Sequence, residues 1–141
     1  RPRVFWEGDA GQTLYVTSGY MTENRTGGTL GDNTVADGTT FEQSQESERL
    51  DGGLVFTMPL LDSLTMTTRG SAMVQDHVHV YGTDLEEDTH ESYLFENSIA
   101  GYTDNSDWVV GLAYQSEVFR SDTFSEFDYS YDVPGAFAQL D

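Results

Sequence analysis

The feature that most limits what this chain can become is an alternation of apolar and polar side chains from Leu64 to Tyr81. One side reads Leu64, Met66, Thr68, Gly70, Ala72, Val74, Asp76, Val78 and Val80. The other reads Thr65, Thr67, Arg69, Ser71, Met73, Gln75, His77, His79 and Tyr81, so that only Met73 and Asp76 are out of step. Successive side chains of a strand point to opposite faces, and a period of two therefore means a strand whose two faces meet different surroundings. Strands of globular proteins usually hold about five or six residues, so this stretch calls for an unusually tall sheet.

The same pattern recurs along the chain. Leu50, Gly52, Leu54, Phe56, Met58 and Leu60 share one side, as do Trp108, Val110, Leu112, Tyr114, Ser116 and Val118. Weaker alternation runs from Gln12 to Arg25 and from His90 to Thr103, and short pieces lie at Arg3 to Gly8 and Gly135 to Asp141. These segments predict an all-β fold, an antiparallel meander of about seven strands. Turn-forming residues mark short connections near 9–11, 61–63 and 104–106, while longer polar stretches lie near 26–45, 82–89 and 121–134. Short turns at one end of a sheet and long loops at the other are the layout of an outer-membrane barrel.

Hydrocarbon favours that reading over an ordinary sheet. A strand crossing a bilayer must pair every backbone N–H and C=O with a neighbour, which only a closed sheet achieves, and its lipid side must be apolar while its inner side stays wet. About 9 to 11 residues suffice to cross, so the excess length would carry the strands beyond the membrane. Trp6, Tyr20, Tyr81 and Trp108 stand near strand ends, where ring and polar tip suit the aromatic girdles at the two interfaces. Composition narrows the field further. With 25 acidic residues against six basic ones, all Arg, the formal charge is −19. No clustered positive charge is available to bind nucleic acid or an anionic lipid surface. There is no Cys, hence no disulfide and no thiolate site.

The runs Gln12-Thr-Leu-Tyr-Val-Thr-Ser-Gly-Tyr-Met21, Ser47-Glu-Arg-Leu-Asp-Gly-Gly-Leu-Val-Phe56 and Tyr131-Asp-Val-Pro-Gly-Ala-Phe-Ala-Gln-Leu-Asp141 resemble the barrel region of bacterial TonB-dependent outer-membrane receptors. That resemblance covers most of the chain and implies a contiguous part of a barrel wall, residues 1–141, with loops at its outer end. It also implies a bacterial outer-membrane location and a small-molecule nutrient as cargo, of siderophore, cobalamin or carbohydrate type. TonB and a plug domain would act through parts of the parent protein outside these residues. Such barrels are expected to end on an aromatic residue, and Asp141 does not match, so the chain is expected to be a slice of a longer protein. The alternative is a self-contained small β-barrel that binds a ligand or adheres.

Three residues are candidates for ligand contact. Arg69 lies mid-strand on the polar side, where a barrel would point it inward; Asp51 or Glu96 is its expected partner, and an anionic substrate its candidate ligand. His77 and His79 stand two apart and share a face, from which they could hold a transition metal together. Two ligands are too few for a tight site, and His90 would have to arrive across the hairpin, so no metal and no cofactor are expected. The acidic run Asp84-Leu-Glu-Glu-Asp88 offers oxygen donors suited to calcium, yet it lacks the glycine and spacing of an EF-hand and reads as a solvated loop. No nucleophile elbow, His-Glu-x-x-His, phosphate loop or dinucleotide fingerprint occurs, and no enzymatic activity is expected.

Overall fold

The computed structural model describes residues 1–29 and 41–141. Seven strands form one sheet in sequence order: β1 (Arg3–Glu7), β2 (Thr13–Gly28), β3 (Glu42–Leu61), β4 (Leu64–Tyr81), β5 (Asp84–Thr103), β6 (Ser106–Ser121) and β7 (Tyr129–Leu140). Every neighbouring pair is antiparallel. The architecture is thus the predicted meander, in which each strand hydrogen-bonds to the strands before and after it. At about 3.3 Å per residue the longest strands approach 65 Å.

Among the described residues no hydrophobic side chain is buried, and the buried polar ones are Ser47 and Ser98. Large apolar groups such as Leu50, Leu112, Phe95 and Tyr20 are instead more than half exposed. A single layer of sheet has no second layer to cover it, so its apolar face needs an apolar surrounding from elsewhere.

All three long connections differ from the sequence expectation. The long loop expected at 82–89 is a hairpin turn of Gly82 and Thr83, because Tyr81 already pairs with Asp84. Gly82 makes this possible with φ of +64°, the left-handed region that tight hairpins draw on. The acidic run Asp84 to Asp88 is consequently strand rather than loop, and its side chains divide between the two faces. The connection expected at 121–134 shrinks to the residues between Ser121 and Tyr129, which include a short 3-10 turn at Ser125–Phe127. There Asp128 Oδ1 accepts from the Ser121 backbone N–H at 2.7 Å, and the Asp122 N–H donates to the Glu87 carbonyl at 2.9 Å. Of the stretch expected as a loop at 26–45, β2 and β3 take both ends, and residues 30–40 lie outside the described residues.

Candidate functional site

The pairing register sorts side chains into rows that cross the sheet. On one face Leu54 aligns with Val16, Gly70, Phe95 and Tyr114 through successive strand pairs. Two positions higher, Ser18, Gly52, Ala72 and Tyr93 align, and above them Tyr20, Leu50, Val74, Glu91 and Val118. The next row is polar in all five strands: Thr22, Glu48, Asp76, Thr89 and Arg120. Glu91, the acidic member below that border, reaches up to it: Arg120 Nη1 donates to Glu91 Oε1 at 2.7 Å and the Tyr93 hydroxyl to Oε2 at 2.8 Å.

At the bottom of the same face Leu64 aligns with Gly101 and Trp108. The Trp108 ring lies over Gly101 so closely that a Cβ there would sit 2.5 Å from Cζ2. From Trp108 to Val118 is about 33 Å along a strand, which a tilt of about 40° reduces to about 25 Å, the height of the apolar band of an outer-membrane barrel. Two polar groups inside the band, Asn97 and Thr68, are register partners, and the Asn97 amide donates to Thr68 Oγ1 at 2.7 Å. A hollow of about 560 Å³ opens on this face, where Leu54, Tyr93, Phe95 and Tyr114 surround a floor that includes Gly52, Gly70 and Ala72.

The opposite face is polar and carries the predicted ligand residues. Arg69 sits in its middle and is ion-paired with Glu96 of β5, one of its two expected partners. Asp51, the other, is held by Arg49 at 3.3 Å and Arg1 at 3.5 Å. Higher up, His77 and His79 share the face as expected. The structure brings them to Asp88, not to His90. Asp88 is the register partner of His77 across the tight hairpin, with Oδ1 2.8 Å from His77 Nδ1 and Oδ2 3.8 Å from His79 Nε2. The three donor atoms lie within 4.8 Å of one another, and all three side chains are half-buried.

His77 Nε2, on the far side of the ring, is 2.9 Å from the Gln75 side-chain nitrogen. The Gln75 amide donates there, which leaves the ring proton on Nδ1 to be given to Asp88. His90 faces Glu117 instead, with Nε2 3.7 Å from Oε2. An aromatic series continues upward from the histidines, His79 stacking on Tyr81 with ring centroids 6.0 Å apart. Tyr81 therefore belongs to the polar face and not to a lipid girdle, whereas Trp6, Tyr20 and Trp108 lie on the apolar one. Sequence reasoning missed Asp88 and Gln75. The signal that would have found Asp88 was the turn at Gly82, since fixing that turn fixes the pair.

Together the rows give the sheet one face with an apolar band and one that is mostly polar. No protein-family model and no curated protein sequence matches the chain. Among solved structures it is similar to one described as "Copper transporter OprC", with a TM-score of 0.73 and 10% sequence identity over 98% of this chain. The chain spans 26% of the length of that protein. At this identity the likeness shows the fold alone, an all-β antiparallel meander.

Proposed function

We propose that this chain is part of the barrel of a TonB-dependent receptor that takes up a nutrient across the bacterial outer membrane. The observation that carries the reading is the border between the Tyr20–Leu50–Val74 row and the Thr22–Glu48–Asp76 row, which falls at one height across the sheet. A soluble sheet has no reason to change its outer face at one level in separate strands, as β2, β3 and β6 do; a bilayer surface imposes that change, with β5 turning polar one row lower at Glu91 and β4 regaining Val78 and Val80 above Asp76. The apolar hollow on the same face suits lipid tails, since Leu54, Phe95 and the rings of Tyr93 and Tyr114 line it. The cargo would be a siderophore, cobalamin or carbohydrate, moving along the polar face with no chemistry done on it. TonB and a plug domain would be engaged by other parts of the protein. The neighbour's name adds copper to the solutes worth offering in an uptake assay.

Spin labels at Leu112→Cys and Ala113→Cys test the orientation. In detergent micelles or bilayers the label at 112 should be quenched by a lipid-soluble relaxant and the label at 113 by an aqueous one. A chain that stays monomeric without detergent and shows no such contrast is the self-contained binding module instead.

A further inference from the structure

We infer that His77, His79 and Asp88 form a docking station for a divalent transition-metal ion, zinc or copper(II), on the polar wall above the apolar band. The station is argued from its own donors, and only its placement inside a barrel rests on the transport reading. Its donor set is two imidazoles and one carboxylate, the chemistry that zinc and copper(II) favour over calcium or magnesium. The geometry is close to assembled. Ligand atoms of a four-coordinate zinc at about 2.0–2.1 Å from the metal stand about 3.3 Å apart; here Asp88 Oδ1 is 2.8 Å from His77 Nδ1, its other oxygen Oδ2 is 3.8 Å from His79 Nε2, and the three donors lie within 4.8 Å of one another, so side-chain rotation has to draw them in. β4 and β5 are joined by a two-residue turn, and their ladder already holds His77 opposite Asp88.

An outer partner is also in place. A metal on His77 Nδ1 puts the ring proton on Nε2, where an acceptor is required. Turning the Gln75 amide over would present its oxygen at the position its nitrogen now holds, 2.9 Å from Nε2. Glu86, the register partner of His79, shares the face and is the nearest acidic neighbour along β5 for the fourth position. The overall charge of −19 raises the local concentration of cations around the wall but selects none of them. Selection falls to the histidines.

The test is equilibrium dialysis of zinc against the full chain in detergent micelles at physiological salt, which screens loose attraction. Copper(II) electron paramagnetic resonance reads the ligands. One zinc per chain should be retained, and copper should show coupling to two imidazole nitrogens. His77→Gln, His79→Gln and Asp88→Asn should each weaken zinc at least about tenfold, Gln75→Leu about tenfold, and His90→Gln not at all. Asp88→Asn keeps the shape of the side chain, so a loss there cannot be put down to misfolding. Zinc retained equally by all variants, or stripped by salt alone, would overturn the station in favour of diffuse attraction to an acidic wall. If zinc fails to bind while labels at 112 and 113 still report lipid and water, the station falls and the barrel reading stands. Zinc bound by a chain that is soluble and monomeric without detergent has the opposite meaning.

Discussion

Arg69 and Glu96 show how little a single side chain decides on this wall. Arg69 is about half exposed, so water screens the pair, and a double-mutant cycle of Arg69→Ala and Glu96→Ala in urea unfolding should return a coupling of about 0.2–1 kcal/mol that shrinks with added salt. A coupling of several kcal/mol would mean that the pair is shut away from water. The place of Arg69 on the polar face was legible from the alternation alone, and the sequence left its partner open between Asp51, Glu96 and a plug domain. Asp88 was not legible. Asp and Glu are depleted in strands, so five residues rich in them read as a loop, and only the ladder with β4 shows that a wet face can carry them in a strand. The likeness of Asp84 to Asp88 to a calcium loop dissolves for the same reason: alternate residues point away from one another.

The hairpin between β4 and β5 depends on Gly82. A side chain there would take up a left-handed backbone at φ of +64° and meet Phe41 Cε2 at 3.2 Å. Gly82→Ala should cost about 1–2 kcal/mol in an unfolding titration, and it should also weaken zinc, because the turn sets the register that faces His77 with Asp88. An unchanged midpoint would show that the ladder alone holds the register. The strands were legible because pleating imposes a period of two whatever the residues. Their ends were less so, since a strand that outgrows the bilayer continues in polar residues on both faces, and such stretches look like connections. Element faces can be tested by charge. Leu112→Arg, on the apolar side, should cost about 2–4 kcal/mol in a lipid or detergent environment, whereas Ala113→Arg, whose register partner is Glu96, should cost less than about 1 kcal/mol. Equal costs would remove the distinction between an oily and a wet side.

At the scale of the whole molecule, the described sheet has β1 and β7 at its edges, each paired on one side. Unpaired edges and an uncovered apolar face both invite association. Sedimentation in detergent-free buffer should therefore find aggregates or paired copies, and sedimentation in micelles a single chain. A sharp monomer boundary in buffer would favour the soluble alternative. The fold class was readable from seven periodic segments, because alternation reports surroundings as well as shape. Ligand-contacting residues were not, because residues that touch a solute need no period and would sit among many other polar groups of the same face.

The want of any buried apolar side chain among the described residues means that the described sheet seals no oily interior away from the outside. Its unfolding temperature should then belong to the pair of chain and host fluid, rising or falling with the length of the surrounding acyl chains while the amino acids stay the same. Thinning or thickening that fluid would act on it as core mutations act on other proteins.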